Sequence, residues 1–293
     1  MPQRALLLIN PGARRGRKEA GAAQECLAAL GMDLTAARLE DGVSVGNQIQ
    51  DLQGTIDRVI VAGGDGTLNA VLQGLVGTGL PLGVLPLGTA NNLARTLGIP
   101  QSLQEACELA VHGVRRPIDL GWANGRYFFT TASMGLSVQI TEALSHETKQ
   151  RWGALAYAVA AMRALARSHP FHAEITWQGG SRHSRTVQIV VGNGRYYGSA
   201  LPVTEDAAID DARLDLYSLE VRHWWELIAL IPALRRGRQR EKRSVEALRA
   251  REFEIRTRVP LDINVDGEIC TRTPARFRVV PRALDVFAPS GGA

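Results

Sequence analysis

Three short apolar runs in the first ninety residues each end in a loop of small or amide residues. The runs are Ala5 to Asn10, Ile56 to Ala62 and Leu82 to Pro86. The loops that follow them are Pro11-Gly12, Gly63-Gly64-Asp65-Gly66-Thr67 and Leu87-Gly88-Thr89-Ala90. Because continuous apolar strands that alternate with helices are typical of a parallel sheet covered on both faces, this half predicts an α/β fold.

Helical spacing lies between these runs. We expect helices over Glu19 to Leu30, from the glycine loop to about Leu75, around Asn91 to Leu97, and from Ser102 to His112. The last helix opens with Ser102-Leu103-Gln104-Glu105, a capping-box pattern, and Gly113 ends it.

The pattern changes near Asp119. Asn124-Gly125 lies between two apolar segments, Ile118 to Ala123 and Arg126 to Ala132, and predicts a two-residue hairpin. One long apolar helix is expected from Arg151 to Ser168, either a core helix or a wall of a lipid cleft. Strand-like pieces then dominate: Ala173–Gln178, Thr186–Asn193, Leu214–Leu219, Glu252–Thr257, Leu261–Val265 and Ala275–Val280. This half predicts an antiparallel sandwich or a curled sheet.

Two domains follow from this change of pattern. We expect an α/β nucleotide-binding domain over residues 1–120 and a β-rich domain over residues 121–281. The C-terminal segment, residues 282–293, contains an apolar piece from Leu284 to Phe287 that fits against either domain.

Composition limits the class of protein. With 293 residues and 45% hydrophobic residues, the chain has enough apolar side chains for a sizeable core. The three cysteines have no paired spacing, which argues against a disulfide framework and a zinc site. The N-terminal apolar run is too short for a signal peptide or a spanning helix, so we expect a cytoplasmic protein.

The loop Gly63-Gly64-Asp65-Gly66-Thr67 has the features of a phosphate-binding turn. Ligands bind at the carboxyl ends of parallel strands, glycine lets a backbone approach closely, and a helix N-terminus favours phosphate. Neither the P-loop nor the usual dinucleotide fingerprint is present. A plain turn in which Asp65 is a helix N-cap is the alternative. Three such loops converging on one crevice favour a nucleotide site.

Motifs along the whole chain carry a family resemblance. They are Asn10-Pro11, GGDGTLNAV, PLGTANNLAR, FFTTASMG, VVGNGRYYG, Asp210-Asp211 with Leu214-Asp215, and NVDGE at Asn264 to Glu268. In this order, from about Ala5 to Phe287, they resemble the diacylglycerol kinase catalytic family, which includes YegS-like bacterial lipid kinases and sphingosine kinases.

The resemblance implies a site between the two domains and transfer of the γ-phosphoryl group of ATP, with Mg²⁺, to a lipid hydroxyl. It implies Asp266 as the general base, with Glu268 beside it and Asp65 in the catalytic centre. Asp211 falls where bacterial members hold a structural Mg²⁺. The nucleotide-binding positions it implies are Asn10, Gly63, Gly64, Asp65, Gly66, Thr67, Thr89 and Asn91.

These residues also have plainer interpretations. Taken alone, Asp266-Gly267 is typical of an exposed turn, and Asp210-Asp211 of a solvated acidic turn. Two positions depart from the family: Asn92 stands where many members have Asp, and Ala212 stands where Gly is usual. Alanine does not enter positive φ cheaply, so the metal loop is expected to differ here.

The basic excess is local. Between Arg222 and Arg251 there are nine Arg and Lys against three Glu, and the rest of the chain is close to neutral. Two tryptophans, an aliphatic run and clustered arginines over Arg222 to Arg243 predict a segment that lies peripherally on the membrane's inner face. The alternatives are a solvated helix or one buried on its Trp and Leu face. Only the charge favours nucleic acid, so we expect no nucleic-acid partner.

The leading hypothesis is therefore an ATP- and Mg²⁺-dependent lipid kinase. An NAD kinase, which shares GGDG, and a nucleotide-binding regulatory protein without turnover are the alternatives. The motifs do not distinguish diacylglycerol from a sphingoid base, phosphatidylglycerol or a prenol, and they leave the oligomeric state open, with a homodimer as one arrangement.

Overall fold

The computed structural model describes residues 3–13, 15–38, 45–143, 169–194, 196–197, 201–202, 208–221, 226, 230, 242 and 244–290. The helix expected from Arg151 to Ser168, and nearly all of the basic segment from Arg222 to Arg243, lie outside these residues. Within the described ranges, none of the helices has the length and hydropathy needed to cross a bilayer.

A parallel sheet forms the N-terminal half. Its elements are β1 (Gln3–Ile9), α1 (Gly16–Ala29), β2 (Met32–Arg38), α2 (Val45–Asp51), β3 (Arg58–Gly63), α3 (Asp65–Leu75), β4 (Leu82–Pro86), α4 (Asn92–Thr96) and α5 (Leu103–His112). The strands pair in parallel in the order β2-β1-β3-β4. Helix α1 packs on α5, and α2 packs on α3. Strands β3 and β4 are buried along their whole length, as their continuous apolar runs predict.

Antiparallel strands dominate the C-terminal half. Its elements are β5 (Val114–Ala123), β6 (Arg126–Phe128), β7 (Thr131–Gly135), α6 (Leu136–Ala143), β8 (Phe171–Trp177), β9 (Gly180–Thr186), β10 (Gln188–Gly192), β11 (Tyr196–Tyr197), β12 (Leu201–Pro202), β13 (Leu214–Leu219), β14 (Val245–Ala250), β15 (Glu252–Thr257), β16 (Asp262–Val265), β17 (Glu268–Arg272) and β18 (Ala275–Ala288). Among the described residues, one sheet has the order β14-β13-β10-β7-β16-β17, and β15, β8 and β9 extend the sheet that contains the parallel strands.

The last strand joins the two halves. Strand β18 pairs antiparallel with β5 and β15, and near its end it pairs in parallel with β4 at Val286 and Leu82. The two apolar pieces expected at Ala275–Val280 and Leu284–Phe287 are therefore parts of one strand. A register shift separates them, and Arg282 lies there with a φ of 50°. The C-terminal segment thus lies against the parallel sheet; the exact domain limits stay a prediction.

Alternating side chains build the sandwich core. Along β18, Ala275, Phe277 and Val279 are buried while Arg276 and Arg278 are exposed. The buried side chains of β15 and β18 meet those of β7, β10 and β13 in one apolar cluster between the two sheets. An α/β half with a mainly parallel sheet and an antiparallel, sandwich-like half confirm the predicted fold class.

Some local predictions were wrong or incomplete. The edge strand β2 and the short helix α2 have no continuous apolar run, and they were not predicted. Ser102 precedes α5 as expected, but its side chain makes no capping hydrogen bond, so the capping box does not form. The Asn124-Gly125 hairpin is confirmed: it joins β5 to β6 with both residues at positive φ.

Candidate active site

The loops after β1, β3 and β4 meet at one end of the parallel sheet. The main-chain nitrogen of Leu87 donates to the carbonyl of Gly63 at 2.9 Å, and that of Arg15 donates to the carbonyl of Leu87 at 3.1 Å. Gly64 and Gly88 touch so closely that a Cβ on Gly88 would lie 2.5 Å from the Cα of Gly64. Glycine at both positions therefore lets the second and third loops come together.

Asn10 ties the first loop to the second. Its Nδ2 donates to the hydroxyl of Thr67 at 2.8 Å, and its Oδ1 accepts from the main-chain nitrogen of Gly12 at 2.8 Å. Thr67 is buried at the start of α3. Both residues lie in the convergent loops, as expected for the nucleotide-binding positions that the resemblance implies.

Asn91 organises the third loop. It has a φ of 49°, and its amide is only 4% exposed. Its Oδ1 accepts from the main-chain nitrogen of Gly88 at 3.0 Å, and its Nδ2 donates to Oε1 of Gln101 at 2.8 Å. This side chain holds the loop in shape, while Thr89 at the loop's tip is exposed to solvent.

Asp65 is the first residue of α3, and its carboxylate faces the start of another helix. Its Oδ1 accepts from the main-chain nitrogen of Leu93, near the N-terminus of α4, at 3.3 Å. Burial raises the pKa of Asp65, the hydrogen bond from Leu93 lowers it, and the nearby charge of Asp266 raises it again. Asp65 therefore bonds to α4 rather than capping its own helix, for which Gly64 is the N-cap.

Asp266 lies in the turn between β16 and β17, with its carboxylate turned inward. Its Oδ1 accepts from the nitrogen of Thr130 at 3.1 Å, the hydroxyl of Thr130 at 2.6 Å and the nitrogen of Thr131 at 2.9 Å. Its Oδ2 accepts from the nitrogen of Phe129 at 2.7 Å. Burial raises the pKa of Asp266 above its usual range, and these four hydrogen bonds act in the opposite direction.

The fold thus brings two carboxylates from opposite halves of the chain together. Asp65 comes from the glycine loop, and Asp266 comes from the sandwich. The charge of Asp266 acts directly on the ionisation of Asp65. Buried acids with raised pKa values are typical of functional sites, because burial of a charge is costly for the fold.

Glu268 lies at the edge of this centre. Its side chain is half exposed, and its Oε2 lies 3.9 Å from the guanidinium of Arg126. Arg126 also lines a cleft of about 410 Å³, whose other walls are α2 and α3, including Asn69 and Gln73. Glu268 is therefore near the cleft, and a catalytic role for it stays a prediction.

Asp211 lies in the turn before β13. Its Oδ1 accepts from the nitrogen of Arg213 at 3.0 Å, and its Oδ2 is 3.5 Å from the guanidinium of Arg249. The same guanidinium binds Asp215, with Nε at 2.9 Å from Oδ1. Burial raises the pKa of Asp211, and the charge of Arg249 lowers it.

These surroundings do not fit a divalent ion at Asp211. Arg249 already places a positive charge between the two carboxylates, and a metal ion would be repelled by it. Asp211 therefore stays a prediction as a metal ligand, and its side chain favours an ion pair instead.

Several site residues were not singled out from the sequence. The segment FFTTASMG contributes Phe129, Thr130 and Thr131, whose donors hold Asp266. In the sequence this segment contributes to the family resemblance, but its residue types do not mark it as a set of donors to a carboxylate. Gln73 and Arg126 had no signal of their own, since one glutamine on a helix and one arginine after a hairpin turn are common surface residues.

Comparisons with known proteins bear on this geometry. Two family models match the chain. The model described as "Diacylglycerol kinase catalytic domain" matches residues 4–123. The model described as "YegS C-terminal NAD kinase beta sandwich-like domain" matches residues 130–288. The chain therefore belongs to the diacylglycerol kinase family of lipid kinases. The second match covers the strands that build the sandwich and the turn with Asp266.

Relatives of this lipid kinase match it over most of their length. It is 30% identical over 236 residues to "Diacylglycerol kinase" of Bacillus subtilis, covering 80% of this chain and 78% of that protein. It is 32% identical over 292 residues to "Probable lipid kinase YegS-like" of Pseudomonas fluorescens, covering 99% and 97%. In fold, the lipid kinase resembles a putative diacylglycerol kinase from Bacillus anthracis, with a TM-score of 0.82 at 24% identity, covering 99% of this chain and 97% of that one.

Proposed function

We propose that this lipid kinase transfers the γ-phosphoryl group of ATP to the hydroxyl of diacylglycerol or a related lipid alcohol. The observation that carries the proposal is the inward-turned carboxylate of Asp266, which accepts four hydrogen bonds from Phe129, Thr130 and Thr131 and whose charge raises the pKa of Asp65 in the nucleotide loop. A kinase needs a group that accepts the proton of the alcohol and a group that manages charge on the phosphates. The substrate class follows the relatives that are named diacylglycerol kinases.

Asp266 is the proposed general base. Four hydrogen bonds fix its carboxylate in one orientation. Oδ1 accepts three of them and Oδ2 accepts one, so Oδ2 keeps more capacity to take the proton of the lipid hydroxyl. Burial raises its pKa while the hydrogen bonds keep the ionised form accessible, which suits a base that gains and loses a proton.

The glycine loop is the proposed phosphate site. Gly66 is exposed at the first turn of α3, and a Cβ at this position would meet no protein atom within 4 Å. The fold itself therefore gives no steric reason for glycine there, whereas close approach of a phosphate chain does. The free main-chain nitrogens at the start of α3 add donors and a positive dipole end.

A magnesium ion fits beside Asp65. Burial raises the pKa of Asp65, the charge of Asp266 raises it further, and a divalent cation beside this carboxylate oxygen would offset both effects. Asp65 would hold the ion, which when bound neutralises phosphate charge. Asp65 itself then serves to orient the loop through its bond to Leu93.

The cleft between α2, α3 and Arg126 is the proposed site for the rest of the nucleotide. A Cβ on Gly74 would lie 2.3 Å from the Cα of Gly46, so these two glycines let α2 and α3 meet beside the cleft. Asn69 lines the same cleft and is 3% exposed, and its Oδ1 has no hydrogen-bond partner among the described residues. An orphaned amide oxygen beside a cleft supports a polar ligand there.

Peripheral membrane binding through Arg222 to Arg243 is part of the proposal and rests on the sequence alone. The lipid substrate must be reached in a bilayer, and clustered arginines with tryptophans favour an anionic surface. Binding to vesicles with and without anionic lipid, compared between wild type and a variant with Arg235, Arg236, Arg238 and Arg240 changed to Gln, tests it.

The deciding experiment is a phosphoryl-transfer assay. Labelled Mg²⁺-ATP is offered with mixed micelles of diacylglycerol, a sphingoid base, phosphatidylglycerol or a prenol, and with NAD⁺ as a separate acceptor. We expect one labelled lipid from wild type, none from Asp266→Asn, and a loss of at least 100-fold with Asp65→Asn. Asp262→Asn is the matched control, because Asp262 begins the strand that leads to the turn of Asp266 but pairs with exposed Arg272.

If the labelled phosphoryl group is transferred to NAD⁺ and to none of the lipids, the acceptor is a dinucleotide and the lipid kinase proposal is wrong. Full lipid phosphorylation by Asp266→Asn would remove the general base from the mechanism.

A further inference from the structure

One side chain of the α/β half binds both main-chain groups of a single residue in the other half. Nε2 of Gln73 donates to the carbonyl of Tyr127 at 2.8 Å, and Oε1 of Gln73 accepts from the nitrogen of Tyr127 at 3.1 Å. In a sheet, a neighbouring strand would make these two hydrogen bonds to the main chain of Tyr127. Here the side-chain amide of Gln73 makes both of them. The pair therefore fixes β6 against α3.

The bound residue lies directly before the segment that holds Asp266. Tyr127 is the middle residue of β6, and Phe129, two residues later, donates to Asp266 at 2.7 Å. Between them, Phe128 is fully buried and packs against Gly121, where a Cβ would come within about 2.1 Å of its ring. The chain has little freedom over this stretch, so a displacement of Tyr127 is passed on to the donors of Asp266.

The same helix carries the other carboxylate. Asp65 is the first residue of α3, and Gln73 lies two turns later. Because a helix is stiff over this length, α3 fixes the position of Gln73 relative to Asp65. Gln73 in turn holds Tyr127, and the chain from Tyr127 to Phe129 leads to the carboxylate of Asp266. Gln73 also lines the cleft of about 410 Å³, so an occupant of that cleft lies beside this connection.

We propose that Gln73 is a positioning residue that aligns the Asp266 carboxylate with the glycine loop. This inference rests on the proposed function, since it takes Asp266 as the base. Gln73 touches neither the proton nor the phosphate; it acts through the main chain of β6. Without it, β6 keeps its pairing to β5 on one side but loses its anchor to α3 on the other.

The test compares Gln73→Met with Gln50→Met. Methionine keeps the length and volume of glutamine but has neither donor nor strong acceptor. Gln50 lines the same cleft from α2, and its side chain makes no hydrogen bond to β6 in the described part of the chain. For Gln73→Met we expect a loss of kcat of about tenfold to 100-fold, the order caused by misplacing a catalytic group by about 1 Å. Because Gln73 and Gln50 both line the proposed nucleotide cleft, any rise in the KM for ATP should be similar in the two variants, whereas the loss of kcat should be confined to Gln73→Met.

The pH profile separates positioning from simple loss of stability. If the donors from Phe129 to Thr131 shift away, the pKa of Asp266 rises, so the acid limb of the kcat profile moves to higher pH for Gln73→Met. Gln50→Met should keep the wild-type limb. Unfolding temperatures of both variants show whether each is folded under assay conditions.

The outcomes distinguish this inference from the function on which it depends. If Asp266→Asn abolishes transfer while Gln73→Met matches wild type in kcat and pH limb, the positioning role is wrong and the base is retained. If Gln73→Met and Gln50→Met lose kcat to the same extent and the acid limb of the pH profile stays in place, Gln73 only lines the cleft, and the inference is wrong. If Asp266→Asn retains full activity, both the base and the positioning role are overturned.

Discussion

The hydroxyl of Thr130 donates a hydrogen bond of 2.6 Å to Oδ1 of Asp266. Thr130 is buried, and its own main-chain nitrogen donates to the same oxygen at 3.1 Å. The segment between β6 and β7 is thus built to receive one carboxylate from a turn far along the chain. Its donors fix the orientation of that carboxylate and lower its pKa against the larger effect of burial, which raises it.

The pH dependence of transfer should respond to Thr130→Val. Loss of the hydroxyl removes a bond that lowers the pKa of Asp266, so this pKa rises. A larger fraction of Asp266 is then protonated at any acidic pH, and a protonated carboxyl accepts no proton. We expect the acid limb of the kcat/KM profile to move to higher pH, measured by initial rates across the pH range.

Thr130→Ser is the matched control for that change. Serine keeps the hydroxyl, so its acid limb should coincide with that of wild type. An unchanged limb in Thr130→Val, with the protein folded, would mean that Asp266 is not the group whose ionisation controls the rate.

Ala212→Gly should stabilise the protein. Ala212 has a φ of 56°, a region that costs alanine roughly 1 kcal/mol relative to glycine. Asp119 holds it there: its Oδ2 accepts from the nitrogen of Ala212 at 2.6 Å, and its Oδ1 accepts from the nitrogen of Arg282 at 2.8 Å. We expect the free energy of unfolding to rise by about 0.5–1 kcal/mol in urea titrations, with an unchanged m value.

The same substitution of alanine by glycine at an exposed helix position should change the free energy of unfolding in the opposite direction. Ala22 is exposed within α1, so Ala22→Gly is expected to lower the free energy of unfolding by about 1 kcal/mol. If both variants destabilise equally, Ala212 is not strained by its backbone conformation.

Arg249→Gln tests the ion pair at Asp211. The guanidinium of Arg249 pairs with both Asp211 and the buried Asp215. Its removal leaves these two carboxylates close together without a positive charge between them. We expect the free energy of unfolding to fall by about 2–3 kcal/mol. Because the positive charge beside Asp211 is then gone, Mg²⁺ should raise the melting temperature more in this variant than in wild type, measured by calorimetry without nucleotide.

An exposed pair provides the comparison for that loss. Arg256→Gln breaks the ion pair with Glu254, in which Arg256 is 65% exposed, and should change stability by less than about 1 kcal/mol. A wild-type protein whose melting temperature rises with Mg²⁺ more than that of Arg249→Gln would restore Asp211 as a metal ligand.

Arg58→Met should destabilise the parallel sheet. Arg58 is 3% exposed on β3, and it donates to the carbonyls of Ala110 and Val111 at 2.6 and 2.9 Å, at the end of α5. Its guanidinium also lies 4.3 Å from the ring centre of Phe287 on β18. Two helix-terminal carbonyls would lose their donor, so we expect a loss of about 2–4 kcal/mol in denaturant unfolding.

Arg58→Lys is the informative partner variant. Lysine keeps the positive charge but has one nitrogen in place of two: Nη1 of Arg58 donates to the carbonyls of Ala110 and Val111, and Nη2 donates to Oε1 of Gln3. It should recover only part of the stability; full recovery would show that charge alone matters at this position.

Local patterns were sufficient for the strands that are buried on both faces. The apolar runs of β3 and β4 leave no other way to satisfy their backbone and cover their side chains. Strand β9 is different, because its sequence GSRHSRT is mostly polar and exposed, and it is a strand because β8 lies beside it. Strand β2 likewise shows only the weak alternation of an edge strand.

The sequence by itself determined the chemistry of the chain: the fold class, the glycine loop and the motif that carries Asp266. Only the tertiary structure decided that Asp65 bonds to α4, that Phe129, Thr130 and Thr131 donate to Asp266, that Gln73 binds Tyr127 and that Arg249 pairs with Asp211. Each of these contacts joins segments that are distant along the chain. Local periodicity reports which face of an element is buried, whereas the partner across a sheet or between two halves depends on how all the elements pack together.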